Sequence, residues 1–139
     1  MPELNAILEA ALYCDDLDAA ERFYGEVCGL ERISRDPVRH VFFRCGPAVL
    51  LIFDPAQTES DLRSVAGAVI PTHGTRGPGH LAFRAEPDSR EHWREHLRRH
   101  GVAVESEVDW PGGGWSIYFR DPAGNSLELA TAALWGLEA

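Results

Sequence analysis

A chain of 139 residues, 45% hydrophobic and 25% charged, has the length of one domain and an ordinary globular composition, which argues against disorder, fibrous repeats and a second independent core. Thirteen basic against 22 acidic residues give a net charge of -9, a field that repels phosphate backbones and anionic headgroups, so neither nucleic acid nor a membrane is expected as a partner. Three cysteines without CxxC spacing, no basic segment before an apolar stretch at the start, and no long apolar run point to buried thiols in a cytoplasmic protein.

Residues 6 to 13, AILEAALY, read as a strand. Asp15 and Asp16 then offer an N-cap to the helical pattern LDAAERFYGEV, whose Leu17, Ala20, Phe23, Tyr24 and Val27 share a stripe, and Gly29 ends it. LERIS, HVFFRC and AVLLIF follow as three short strands separated by Asp36-Pro37 and Gly46-Pro47. The order is β-α-β-β-β over residues 5 to 54. Residues 55 to 78 form a long linker rich in Gly, Pro, Thr and Ser, in which DLRSVAGAVI is read as a helical turn.

The same order returns over residues 79 to 132. Strand HLAFRAE leads to Asp88 and Ser89 as capping candidates for REHWREHLRRH, with Gly101 as the stop. VAVESEV, WSIYFR and SLELAT supply three more strands, so one supersecondary unit is written twice. Glu9 and His80 each precede a helix start by a similar interval and are equivalents in the two halves. The expected fold is α+β: two βαβββ modules in a single domain, forming a curled mixed sheet around a cleft, with helices on the outer face.

Strand alternation places Glu9, Ala11 and Tyr13 on one face, with Leu8, Ala10 and Leu12 packing under the helix on the other. By the same parity His80, Ala82 and Arg84 oppose Leu81 and Phe83, and Ser126, Glu128 and Ala130 oppose Leu127 and Leu129. Glu9, His80 and Glu128 thus lie on the face away from the helices. Two carboxylates converging in a cleft without a cation would cost several kcal/mol, and a divalent ion removes that cost. Three protein ligands with open positions is the arrangement of a catalytic metal.

The segment Ser116-Ile-Tyr-Phe-Arg-Asp-Pro-Ala-Gly-Asn-Ser-Leu-Glu-Leu resembles the signature of the vicinal-oxygen-chelate superfamily, which unites glyoxalases, bleomycin-resistance proteins and extradiol dioxygenases. ALYCDDLDAAERFYGEVCGLE at 11 to 31 and GPGHLAF at 77 to 83 resemble the openings of its two modules. The resemblance implies paired βαβββ modules around a metal cleft, with Glu9, Leu51, His80 and Glu128 at the four ligand positions. Leu51 cannot bind metal, so the chain departs from the four-ligand glyoxalase I pattern. It looks more like the three-ligand members, fosfomycin-resistance proteins and extradiol dioxygenases, which usually carry His where this chain has Glu9. One His and two Glu favour Mn, Mg, Fe, Ni or Zn as a Lewis acid over oxygen activation. Within the signature, Asp121-Pro-Ala-Gly-Asn125 reads as a tight turn whose Asp bonds nearby amides.

Other polar residues have two readings each. His92, His96 and His100 have zinc-compatible spacing but read as a solvated helix face supported by pairs such as Glu95 with Arg99, since Trp93 and Leu97 take the inward stripe. His73 is a ligand or base at the cleft mouth, or an exposed loop residue. Arg84 pairs with a substrate anion or neutralises a ligand carboxylate. Tyr13 and Tyr118 supply hydroxyls to the cleft or pack in the core. Residues 109 to 115, with three glycines between two tryptophans, form a flap or a hairpin loop, and Val49, Leu51 and Phe53 make part of the cleft apolar.

Three functions are compatible with these readings. The first is a metal-dependent glyoxalase-like enzyme, a lyase, isomerase or transferase acting on a small oxygen-bearing substrate, in which Glu128 or Glu9 moves a proton. The second is a metal-free drug-binding protein of bleomycin-resistance type, and the third an extradiol-type dioxygenase. A homodimer is implied by the resemblance.

Overall fold

The computed structural model describes residues 1–60 and 63–137. The chain divides into two compact units, Met1–Arg76 and Gly77–Ala139.

The first unit begins with β1, Glu9–Tyr13, and helix α1, Leu17–Arg22, which runs on through a π-helical turn at Phe23–Val27. The Asp16 carboxylate accepts from the Ala19 amide at 3.0 Å and starts the helix. Gly29, at φ +70, ends it in the left-handed region. Strands β2 (Glu31–Arg35), β3 (His40–Cys45) and β4 (Ala48–Phe53) complete a sheet of order β1-β4-β3-β2, in which β1 is parallel to β4 and the other pairs are antiparallel. A parallel pair needs a crossover, and the helix is part of it. Leu17, Ala20, Tyr24 and Val27 are buried, as are Leu12, Val41, Phe43, Leu50 and Ile52 of the sheet. The Tyr24 and Phe43 rings, 5.8 Å apart, mark the seam. Each such side chain contributes roughly 1.5–3 kcal/mol by leaving water.

The segment expected as a linker belongs to this unit and carries structure. It holds a short helix α2, Pro55–Thr58, capped by Asp54, and a hairpin of β5, Arg63–Val65, with β6, Ala68–Ile70. The expected helical turn is therefore corrected to a hairpin, Asp61 and Leu62 lying outside the described residues. Val65, Val69 and Ile70 favour extended backbone, and Ala66 and Gly67 take φ +52 and +84, the two positive values a tight two-residue hairpin requires.

The second unit repeats the order with β7 (His80–Arg84), α3 (Arg90–Arg99), β8 (Ser106–Asp109), β9 (Trp115–Arg120) and β10 (Ser126–Ala130). Its sheet runs β7-β10-β9-β8, again with the first and last strands parallel. Leu97 of the helix and Ile117, Phe119, Leu127 and Leu129 of the sheet form its core. The solvated face expected for α3 carries Glu95 paired with Arg98 and Arg99.

The α+β class and the repeated βαβββ order hold, the described strands falling into two four-stranded sheets and a two-stranded hairpin. Two strands are shorter than expected. β1 starts at Glu9, leaving Leu8 ahead of it and 73% exposed instead of under the helix. β8 starts at Ser106 rather than at Val102. Cys14 is buried as expected, while Cys28 and Cys45 are half-buried. Among the described residues no helix is long and apolar enough to cross a membrane.

Candidate functional site

Strand pairing fixes which residues share a face. In the second unit β10 lies between β7 and β9, with Ser126 opposite His80 and Arg120, Glu128 opposite Ala82 and Tyr118, and Ala130 opposite Arg84 and Ser116. These form the face away from the α3 core. In the first unit Glu9 pairs with Val49, Ala11 with Leu51 and Tyr13 with Phe53. Glu9 and His80 therefore hold matching positions, and Leu51 matches Glu128.

The tight turn aims this face. Asp121 Oδ1 accepts from the Ala123 and Asn125 amides at 2.9 and 2.8 Å, and its Oδ2 accepts from the Asn125 amide group at 2.8 Å. Asn125 Oδ1 in turn accepts from the Gly79 amide at 2.8 Å, and the Ser126 amide donates to the Gly79 carbonyl at 2.9 Å. The turn is thereby clamped to the residue before His80. It sets the register that brings His80 beside Glu128.

Glu128 is 6% exposed, unusual for a carboxylate, so its partners matter. Its Oε1 lies 3.2 Å from His80 Nε2, and its Oε2 accepts from the Ser116 hydroxyl. Ser116 is itself held by the Trp110 indole N–H, which donates to its oxygen at 2.9 Å. The Tyr118 phenol is pushed above its ordinary range by burial and then by the adjacent Glu128 carboxylate, to which it donates a hydrogen bond. The carboxylate is thus held by two hydroxyls, with the His80 ring beside it.

His80 Nδ1 lies 2.9 Å from the Ser126 carbonyl, a bond that only an Nδ1–H can make. In the neutral ring that tautomer leaves the Nε2 lone pair facing Glu128 Oε1. Two acceptors at 3.2 Å repel unless a cation, proton or metal, lies between them. The donor chemistry of the pair fits a divalent ion. Glu9 stands at the exposed start of β1 in the first unit. Among the described residues no three His, Cys, Asp or Glu side chains are gathered into a metal-holding group.

The open face of the first unit is aromatic. Tyr13 and His73 share a 2.6 Å hydrogen bond through the phenol oxygen and Nδ1, and burial raises the phenol's pKa. His73 is placed by its own amide, which donates to the Thr58 carbonyl of α2 at 3.0 Å, so it is half-buried rather than a free loop residue. Phe53 lies 4.7 Å from the His73 ring. His40 stacks on Phe42 at 3.8 Å and bonds Ser34 through Nε2 at 3.1 Å, while its Nδ1 is buried without a hydrogen-bond partner. Burial, ahead of neighbouring charges, lowers the His40 pKa.

Sequence reasoning named His80, Glu128 and Tyr118, which meet, and Tyr13 and His73, which also meet. It missed Ser116, Trp110 and His40. Ser116 was legible: it shares the parity of Tyr118 and is a small hydroxyl on a strand whose alternate positions are large and apolar. Trp110 was not, because its indole reaches Ser116 across a loop. That loop is the hairpin and not a flap, closed by the Trp110 amide on the Gly114 carbonyl at 3.0 Å. A Cβ on Gly114, at φ +85, would meet Thr131 Oγ1 at 2.3 Å, so the glycine is needed for packing.

Two repeated βαβββ units, the second with an ionisable pair on the sheet face away from its helix, make a duplicated scaffold. Residues 6–129 match the family model of the Glyoxalase/Bleomycin resistance protein/Dioxygenase superfamily, and the chain belongs to that superfamily. It is similar over 98% of its length to the whole of a solved lactoylglutathione lyase from Agrobacterium tumefaciens, at 44% identity and a TM-score of 0.88. A glyoxalase/bleomycin resistance protein/dioxygenase from Nocardioides shares the fold at 24% identity and a TM-score of 0.72, over 94% of this chain and 85% of that one. A virulence protein from Salmonella typhimurium does so at 20% and 0.70, over 94% and 98%.

Proposed function

We propose that this chain is a metal-dependent enzyme of glyoxalase type, a lyase or isomerase acting on a small oxygen-bearing substrate, in which Glu9, His80 and Glu128 hold one divalent ion. The observation that carries this reading is the pair in the second unit, where His80 Nε2 and a buried carboxylate oxygen of Glu128 face each other at 3.2 Å. One imidazole nitrogen and two carboxylates suit Mn, Mg, Fe, Ni or Zn. Such an ion, when bound, supplies Lewis-acid polarisation of a carbonyl or of vicinal oxygens.

The chain's own residues handle the proton. Glu128 takes it from a carbon next to a carbonyl and returns it to the neighbouring carbon, so the C–H bond broken at one centre is remade at the other and no redox reagent is consumed. Ser116 and Tyr118 hold that carboxylate in place, and its burial keeps water from quenching the transfer. Glu9 is the second candidate for a proton carrier. Arg84, Tyr13, Tyr118 and His73 are the candidate substrate contacts.

The 44% identity to a lactoylglutathione lyase makes S-lactoylglutathione the first compound to test. Purified protein is expected to retain about one divalent ion per chain, measured by elemental analysis, and to turn over the thioester, followed by its absorbance. Glu128→Ala should lose both. A wild-type protein that retains no ion and whose turnover survives both a chelator and Glu128→Ala would overturn the reading.

A second reading draws on the ring cluster of Tyr13, Phe53 and His73 and on the net charge of -9. These suit a metal-free protein that sequesters a cationic drug. Submicromolar binding of such a drug by metal-stripped protein, with no thioester turnover, would favour it. We also propose that the chain is a cytoplasmic homodimer; light scattering tests the dimer and cell fractionation the location.

A further inference from the structure

Arg39, in the first unit, is a buried charge outside the Glu128 site. It is 7% exposed, and a guanidinium stays ionised, so it needs partners that replace water. Those partners are the Gln57 carbonyl, which accepts from Nη1 at 3.2 Å, and the Phe53 ring, whose centroid lies 5.9 Å from Cζ. Among the described residues no carboxylate pairs with it.

Both backbone groups of the same residue are engaged as well. The Arg39 amide donates to Asp36 Oδ1 at 2.9 Å, and the Arg39 carbonyl accepts from the Asp54 amide at 2.9 Å. Asp54 is the N-cap of α2 and Gln57 lies in its last turn, so one residue is bonded to both ends of that helix. Four residues are too few for a helix to hold itself in water. Burial of Pro55 and Thr58 seats one side of α2 and leaves its direction to be set by hydrogen bonds.

α2 in turn carries His73. The Thr58 carbonyl, next after that of Gln57, accepts from the His73 amide at 3.0 Å, and His73 Nδ1 shares the 2.6 Å hydrogen bond with the Tyr13 phenol. Gly74 stands so close that a Cβ there would come within 3.3 Å of Thr58 Oγ1. Phe53 joins the two ends of this chain of contacts, with the His73 ring 4.7 Å away and the Arg39 cation over its own ring. A displacement of α2 therefore displaces His73.

We infer that Arg39 is the positioning residue for the Tyr13 and His73 pair: it splints α2 from N-cap to last turn, and α2 sets where the His73 imidazole stands. A neutral side chain is a weaker splint, because a charge-assisted hydrogen bond is roughly twice as strong as a neutral one. Lysine is a partial substitute, since its ammonium donates but lacks the planar face that lies over Phe53. That the pair touches substrate rests on the function proposed above; that Arg39 sets the geometry of the pair does not.

The test is nuclear magnetic resonance of the full chain as purified, reading the His73 ring signals and the exchange of its backbone amide. Tyr13→Phe defines the ring signals of a His73 without its phenol partner. Arg39→Met, which keeps the stem and removes the charge and its donors, is expected to move the ring signals most of the way to that reference and to lower protection of the His73 amide about tenfold to a hundredfold. Arg39→Lys should recover part of both. Val41→Ala, a truncation of the buried core in β3, controls for general loosening and should leave the ring signals in place. Wild-type ring signals in a folded Arg39→Met variant would overturn the assignment, and so would an equal shift in Val41→Ala. Should Arg39→Met not fold, the wild-type chain decides: the Arg39 Nη1 protons and the His73 amide are expected to lose protection together as urea is added, and Nη1 protons that exchange freely beside a protected His73 amide would sink the role. If the pair contacts substrate, Arg39→Met should also raise the KM for S-lactoylglutathione about tenfold and change kcat less than about twofold. An unchanged KM with displaced ring signals would take Tyr13 and His73 out of the substrate contacts and leave the splint established.

Discussion

The two units share their strand order, their crossover and the register of their three inner strand pairings up to a bulge in β2, yet the faces away from their helices differ in chemistry. Where the second unit has Glu128, Tyr118 and Ser116, the first has Leu51, Phe42 and His40 at the matched positions. One sheet therefore offers rings and alkyl groups, and the other offers a buried carboxylate with its hydrogen-bonding partners. The lesson is that duplication fixes the backbone and leaves the face free to specialise. The buried cores, which must fill space, stay apolar in both.

The contrast can be tested by making one face resemble the other. Glu128→Leu installs the first unit's residue and removes the proton carrier. Turnover is expected to fall about 10³-fold, and unfolding stability to fall by about 1–3 kcal/mol, because the buried Ser116 hydroxyl loses its acceptor. Activity retained in that variant would contradict the assignment.

The clamp that aims this face should be costly to remove. Asp121→Ala deprives two amides and Asn125 of their acceptor and is expected to lower unfolding stability by about 2–3 kcal/mol, read from the urea midpoint, and to reduce activity by displacing His80. Ser116→Ala leaves the Trp110 indole and one Glu128 oxygen without their partner, for about 1–2 kcal/mol and a smaller loss of turnover. Ser116→Thr should restore part of both.

The smallest effect concerns the aromatic face. The folded His40 pKa is depressed below its ordinary 6.5 because the ring is desolvated. The unfolded chain then binds the proton more readily, so the stability His40 contributes is complete above about pH 6.5 and is lost as the pH falls toward the folded value. His40→Phe should flatten the stability-versus-pH curve below 6.5, measured by denaturation at several pH values. An unchanged slope would assign the acid sensitivity elsewhere.

Much of this was readable in the letters. HVFFRC, AVLLIF and WSIYFR became strands with the expected bounds because β-branched and aromatic residues fill them and turn residues flank them. Strand parity placed His80 and Glu128 on one face. Residues 63–70 were misread because alternation over three-residue strands is too short to separate from a helical turn, and the decisive feature was the pair of positive φ values. Ser116 with Trp110, and Tyr13 with His73, depend on side chains meeting across loops, which no local pattern encodes.

The Asn125 to Gly79 hydrogen bond joins residues 46 apart in the chain. It makes the juxtaposition of His80 and Glu128 a property of the assembled second unit, not of either strand alone. Any opening that frees β7 from β10 dismantles the pair, whereas fraying at the far edge, β8, leaves it whole. The chemistry of this half is thus insulated from fraying at the antiparallel edge and exposed to opening at the parallel one.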